Sequence, residues 1–214
     1  MKSIYPYTLL SLVLLLTTIS CTGDRKSLAG QDLGDTSFVN KDFKGNLIDF
    51  DEKMSACDQI TADEIASLYG FSAEDVVIQD ASKLNLKNNG KASCMFYIKS
   101  GGSDFEWLRG SILVQHEIGK DEYMGDVAEA VGSGENWEEA WTLKKSMYKS
   151  SDWVPGLGMA AIWNENKTTL EIKFDGYTLV VHPIKNVLNK EEVARNRDYK
   201  KMALGLAKAG GYIN

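Results

Sequence analysis

Residues 158–182, GMAAIWNENKTTLEIKFDGYTLVVH, decide the fold. Three short runs rich in apolar residues, Gly158 to Trp163, Thr168 to Phe174 and Tyr177 to His182, are separated by Asn164-Glu165-Asn166 and by Asp175-Gly176. Asp-Gly between two alternating runs is a strong local hairpin signal, because both residues accept the positive φ that a tight hairpin turn requires. Runs this short, joined by turns this short, pair antiparallel as a meander. Pro183 is expected to end the third run, since it brings no ladder donor.

Working outward, a second group of strands lies upstream. It consists of the brief Val76-Val77-Ile78, then Ser93 to Ile98 behind a turn at 87–91, then Trp107 to Ile118. The last alternates over Ile112, Val114, His116 and Ile118. Ahead of this group, Thr61 and Glu64 form a capping box, flanked by the staple pair Ile60 and Ile65, and Gly70 is a stop, so 62–69 reads as a helix. Residues 121–131 and 136–149 also read as helical, interrupted by Gly132-Ser133-Gly134; Trp137 and Trp141, four apart, share a face. A last helix starts at the capping pattern of Asn189 and Glu192 and runs to about Ala209. The order α-βββ-α-βββ-α predicts an α+β domain of two layers, an antiparallel sheet with helices on one face. Helix followed by three strands in each half hints at an α-βββ duplication.

The 214 residues suit one domain with a tether. Thirty acidic against 24 basic side chains give a net charge of −6, which argues against a nucleic-acid partner. Two histidines and three cysteines exclude a histidine-rich site or a four-cysteine zinc site. At the start, Lys2 precedes the apolar run Leu9 to Ile19, whose 11 residues fall short of the roughly 20 that span a bilayer. This is the pattern of a signal peptide. The following Thr18-Ile19-Ser20-Cys21 resembles the lipobox of bacterial lipoproteins, with Thr18 where an aliphatic residue is usual. The resemblance implies cleavage before Cys21 and a diacylglycerol on its thiol, and several acyl chains anchor a protein stably. Thr22 in place of Asp resembles a passenger for the outer membrane rather than the inner one. The expected organisation is therefore a signal peptide over 1–20, a lipidated N-terminus and tether over 21–55, and one α+β domain over 56–214. Cleavage leaves 23 basic against 30 acidic groups, a charge of −7. Within the tether, Phe38-Val39 and Leu47-Ile48-Asp49-Phe50 are candidates for an arm laid on the domain.

With Cys21 lipidated, Cys57 and Cys94 remain, 37 positions apart. In an oxidising compartment an even pair is a disulfide, contributing about 4 kcal/mol by loop closure and pinning the first helix to the sheet. No CxxC or nearby histidine supports a reactive or metal-binding role instead.

Few residues advertise chemistry. His116 shares its strand face with Ile112 and Val114, the place of a structural histidine; His182 ends its run beside Pro183. Either is a possible general base, but there is no G-x-S-x-G, S-x-x-K or H-E-x-x-H to accompany it. The acidic clusters lack the calcium-loop spacing and read as solvated faces. No catalytic residue, metal or cofactor is therefore expected. Val154-Pro155-Gly156-Leu157-Gly158 is the most distinctive loop. Pro followed by Gly fits a type II turn, a rigid corner; as a binding lip it would use Pro155, Gly156, Leu157 and Gly158 flanked by Trp153 and Trp163.

From Cys57 onward the layout resembles a group of small secreted bacterial lipoproteins of unknown function. The shared elements are Cys57-Asp58-Gln59-Ile60-Thr61, Cys94-Met95-Phe96-Tyr97 and Pro155-Gly156-Leu157-Gly158-Met159-Ala160-Ala161. The resemblance implies the disulfide and the α+β fold, and carries no reaction. The expectation is a lipid-anchored envelope protein that binds rather than catalyses, meeting a protein or a small apolar ligand through its sheet or the Trp153–Trp163 loop. The alternatives are an immunity-type inhibitor of an exported toxin, its acidic surface meeting a basic enzyme, and a periplasmic hydrolase using His116 or His182.

Overall fold

The computed structural model describes residues 33–51, 54–82, 91–116, 136–185, 188, 190–191 and 195–214. The expected signal peptide, Cys21, the first part of the tether, the helix over 121–131 and the capping pair Asn189 and Glu192 lie outside the described residues.

Seven strands form one antiparallel sheet: β1 (Val76–Asp80), β2 (Lys91–Ile98), β3 (Leu108–His116), β4 (Ser151–Trp153), β5 (Ala160–Asn164), β6 (Thr169–Lys173) and β7 (Tyr177–Lys185). The order across the sheet is β1-β2-β3-β7-β6-β5-β4, two meanders joined where β3 pairs β7. The helices are α1 (Ala62–Tyr69), α2 (Trp137–Met147) and α3 (Tyr199–Ala209). This is an α+β fold with an antiparallel sheet and a helical layer.

Local chemistry sets the helix ends. Glu64 N–H donates to Thr61 Oγ1 at 3.3 Å and Thr61 N–H to Glu64 Oε2 at 2.8 Å, so each residue satisfies the other's orphan donor. Gly70 stops α1 at φ +73°, a left-handed cap that glycine adopts at little steric cost. The expected last helix is not continuous: Lys190 and Glu191 are helical, where its start is expected, but the helix that reaches Ala209 is a separate one. It begins at Tyr199, where Asp198 accepts from Lys201 N–H at 3.0 Å; Arg195 to Asp198 ahead of it are not helical.

α1 and α3 cover one face of the sheet. Ile65, Ala66, Tyr69, Ala203, Leu206 and Ala207 pack there on Phe96, Ile112, Val114, Leu170, Leu179 and Val181. The Cys57–Cys94 disulfide ties the 3-10 turn Ala56–Gln59 to β2, with Cα atoms 4.9 Å apart and Cys94 fully buried. α2 lies on the opposite face, where Trp141 packs on Ala160 and Ile162, whose alternate neighbours Ala161 and Trp163 belong to the main core. Leaving out β4, which has no counterpart, the strand order mirrors itself about β3–β7, as duplication would require. A two-fold axis relating antiparallel halves preserves faces, however, and α1 and α2 sit on opposite faces.

Pro183 does not end β7. Arg109 pairs Lys185 and Ser111 pairs His182, so Gly110 of β3 faces two residues, Pro183 and Ile184. This bulge places the proline where no ladder donor is needed, and Ile184 N–H is taken up by Tyr69 Oη at 2.8 Å.

The arm is part of the folded unit, which therefore reaches back before residue 56. Asn40 N–H donates to Met159 O at 2.8 Å, Asn40 Nδ2 to Gly158 O at 2.9 Å and Tyr177 Oη to Ile48 O at 3.0 Å, while Phe50 is buried in the core. Among the described residues no helix is long and apolar enough to cross a membrane.

Candidate functional site

The face opposite α1 and α3 is divided, and strand pairing assigns its residues. One cross-strand row runs Val77, Tyr97, Arg109, Lys185. The next runs Gln79, Met95, Ser111, His182, Thr169, Asn164, Ser151, with Thr169 meeting His182 through side chains. A third runs Ser93, Leu113, Val180, Glu171, Ile162, Trp153. The β4–β5–β6 half of these rows lies under α2. No described element covers the β1–β2–β3–β7 half.

Under α2 several polar groups are paired, although the buried Thr142 Oγ1 has no hydrogen-bond partner among the described residues. Lys144 and Glu171 form an ion pair. Lys173, 3% exposed, donates from Nζ to Phe174 O at 2.7 Å and lies 5.6 Å from the Trp137 ring centroid. Burial, with the Glu171 carboxylate adding to it, pushes the Tyr148 phenol above its ordinary pKa. At the rim Phe38 of the arm stacks on Trp153, centroids 4.0 Å apart, and meets Trp137 edge-on at 6.2 Å.

The open half is different. Val77, Met95, Tyr97 and Leu113 stay half-exposed on it, Val180 is buried, and Arg109 stands in solvent. The Arg109 guanidinium lies over the Tyr97 ring, 5.8 Å from its centroid, and its Nη2 donates to Asp104 O at 3.3 Å. None of the positions that β1, β2, β3 and β7 point to this side is Asp or Glu.

His182 stands at the border of the two halves. Thr169 Oγ1 is 3.1 Å from its Nδ1, but Thr169 is 3% exposed and also reaches Lys167 O at 3.2 Å, so its hydroxyl is not presented to a substrate. The ring is exposed at its outer edge while the strands desolvate the rest, which holds its pKa below the ordinary value; Glu171 opposes this, and Lys185 and Lys167 reinforce it. His116 is half-buried against Phe50, ring centroids 5.9 Å apart, with Nε2 buried and without a hydrogen-bond partner among the described residues. Among those residues no group of three or more His, Cys, Asp or Glu could hold a metal ion.

The proposed loop is not a two-tryptophan lip. Trp153 pairs Ile162 while Asp152 pairs Trp163, so strand alternation puts the tryptophans on opposite faces. Trp163 is 2% exposed in the main core, its Nε1 donating to Glu165 Oε2 at 2.6 Å. Pro155 and Gly156 are exposed, Leu157 packs on the core, and Gly158 is buried at φ +51°, where a Cβ would collide with Lys173 O. Val154 N–H to Ala161 O at 2.9 Å and Met159 N–H to Lys173 O at 2.8 Å fix the corner. What sequence reading missed is the set Met95, Tyr97, Arg109, Leu113 and Lys185. Each is ordinary alone, and only the register of three strands, β2, β3 and β7, assembles them.

No protein-family model, curated protein or solved structure matches the chain.

Proposed function

We propose that this is a lipid-anchored cell-envelope protein that works by docking a protein partner on the open half of its sheet, without catalysis. The observation that carries the reading is the half-exposed group Val77, Met95, Tyr97 and Leu113 on a face whose other half is covered. Tyr, Met and Arg are the types enriched in the desolvated centre of interfaces, and Lys, Glu and Asp are depleted there. The surface is four strands wide, roughly 15–20 Å across, an extent that suits a macromolecule. The hydroxyl nearest His182 is buried, which favours binding over hydrolysis. The anchor rests on the lipobox pattern ending at Cys21, and the buried disulfide suits an oxidising compartment.

In-cell photocrosslinking tests the docking reading. A photoreactive phenylalanine replaces Leu113 or, as control, the exposed Ala140 of α2. The reading predicts a discrete protein adduct from position 113 and none from 140. No adduct at 113 above the control refutes it.

A further inference from the structure

The bulge in β7 does more than admit a proline. In unbroken alternation Ile184 would share the open face with His182, and Lys185 would turn to the core. The extra residue reverses the parity, so that Ile184 is wholly buried and Lys185 stands directly opposite Arg109. Bulges commonly re-aim a side chain in this way. Like charges directly opposite on neighbouring strands are destabilising. The chain has 30 acidic residues to draw on, yet places none on the open positions of these strands. His182 follows in the next row.

We propose that Arg109 and Lys185 grip carboxylates of an acidic protein partner, with Tyr97, Met95 and Leu113 taking its apolar residues. This rests on the docking reading of the same face and names the chemistry of what docks. A partner's carboxylates offset the repulsion between the two cations, for which the described open positions of these strands supply no carboxylate. Charge also decides against an anionic bilayer or nucleic acid. An extended anionic surface meets the field of the whole protein, net −7 once residues 1–20 are removed, whereas a local acidic patch meets only this face.

The test uses the full chain held in phosphatidylcholine nanodiscs and a phage-displayed library of random peptides. Selected peptides should be rich in Asp and Glu together with apolar residues. They should lose at least about tenfold in affinity to the Arg109→Glu/Lys185→Glu variant and keep it with Arg109→Lys/Lys185→Arg. Peptides that are neutral or basic, or indifferent to the charge reversal, while still lost with Leu113→Asp, overturn the grip and leave the docking face standing. Peptides indifferent to Leu113→Asp, or no peptides at all, overturn the face itself. Binding abolished when phosphatidylglycerol enters the discs assigns the face to the bilayer and likewise overturns the proposal.

Discussion

Gly110 is the residue on which the geometry of the open face depends most. A Cβ there would come within 2.5 Å of Phe96 Cε2 and 2.8 Å of His182 O, so the close passage of β3 beside the bulge needs a glycine. Gly110→Ala should cost about 1–3 kcal/mol, read from urea unfolding, because backbone must shift as well as side chain. The two tryptophans of the Pro-Gly corner give a second contrast. Trp163→Ala removes a core side chain and should cost about 3–5 kcal/mol. Trp153→Ala, at the half-exposed rim, should cost clearly less in the same measurement. His182 supplies a pH dependence. Its folded pKa lies below the 6.5 of the unfolded chain, so on acidification the unfolded state takes up the proton first. Stability is therefore lost as pH falls through about that value, and His182→Gln should flatten this part of the profile of thermal midpoint against pH.

At the level of elements, the disulfide and α2 carry different information. Reducing Cys57–Cys94 should lower stability by about 2–4 kcal/mol, seen as a drop in thermal midpoint on adding reductant that Cys94→Ser removes. That pairing was legible from cysteine parity, given the expectation that Cys21 is lipidated and the chain exported. So was α1, whose cap and stop are local, and so was the meander around Asp175-Gly176. β4 was not, because three residues hold too little alternation to show a period. The run of β7 through Pro183 was hidden since a proline ends a strand by its own chemistry, and only β3 and Tyr69 supply what lets it continue. The break before α3 was not legible: Lys190 and Glu191 are helical where the Asn189 pattern puts a start, but Arg195 to Asp198 are not, and Asp198 caps a separate helix. For the candidate site the limit was pairing. Alternation tells which residues of one strand share a face, but neither which strand lies beside it nor which face α2 covers. Trp153 and Trp163 were joined by proximity in sequence and are parted by that same alternation.

For the whole molecule, the account places a folded unit, beginning with the arm near Phe38, on a tether from a lipidated Cys21. One face carries the main core; the other carries α2 over β4, β5 and β6, and among the described residues no element lies on the rest, where the account puts a partner. The compartment underlies all of this, since the disulfide, the anchor and an envelope partner belong together. Intact mass measurement of the protein taken from membranes under non-reducing conditions tests it most directly. The account predicts a chain beginning at Cys21, heavier than its residues by a diacylglyceryl group, with or without a further acyl chain on the amino terminus, and lighter by the two hydrogens lost in joining Cys57 to Cys94. A chain beginning at Met1, without lipid and with both thiols free, would contradict it.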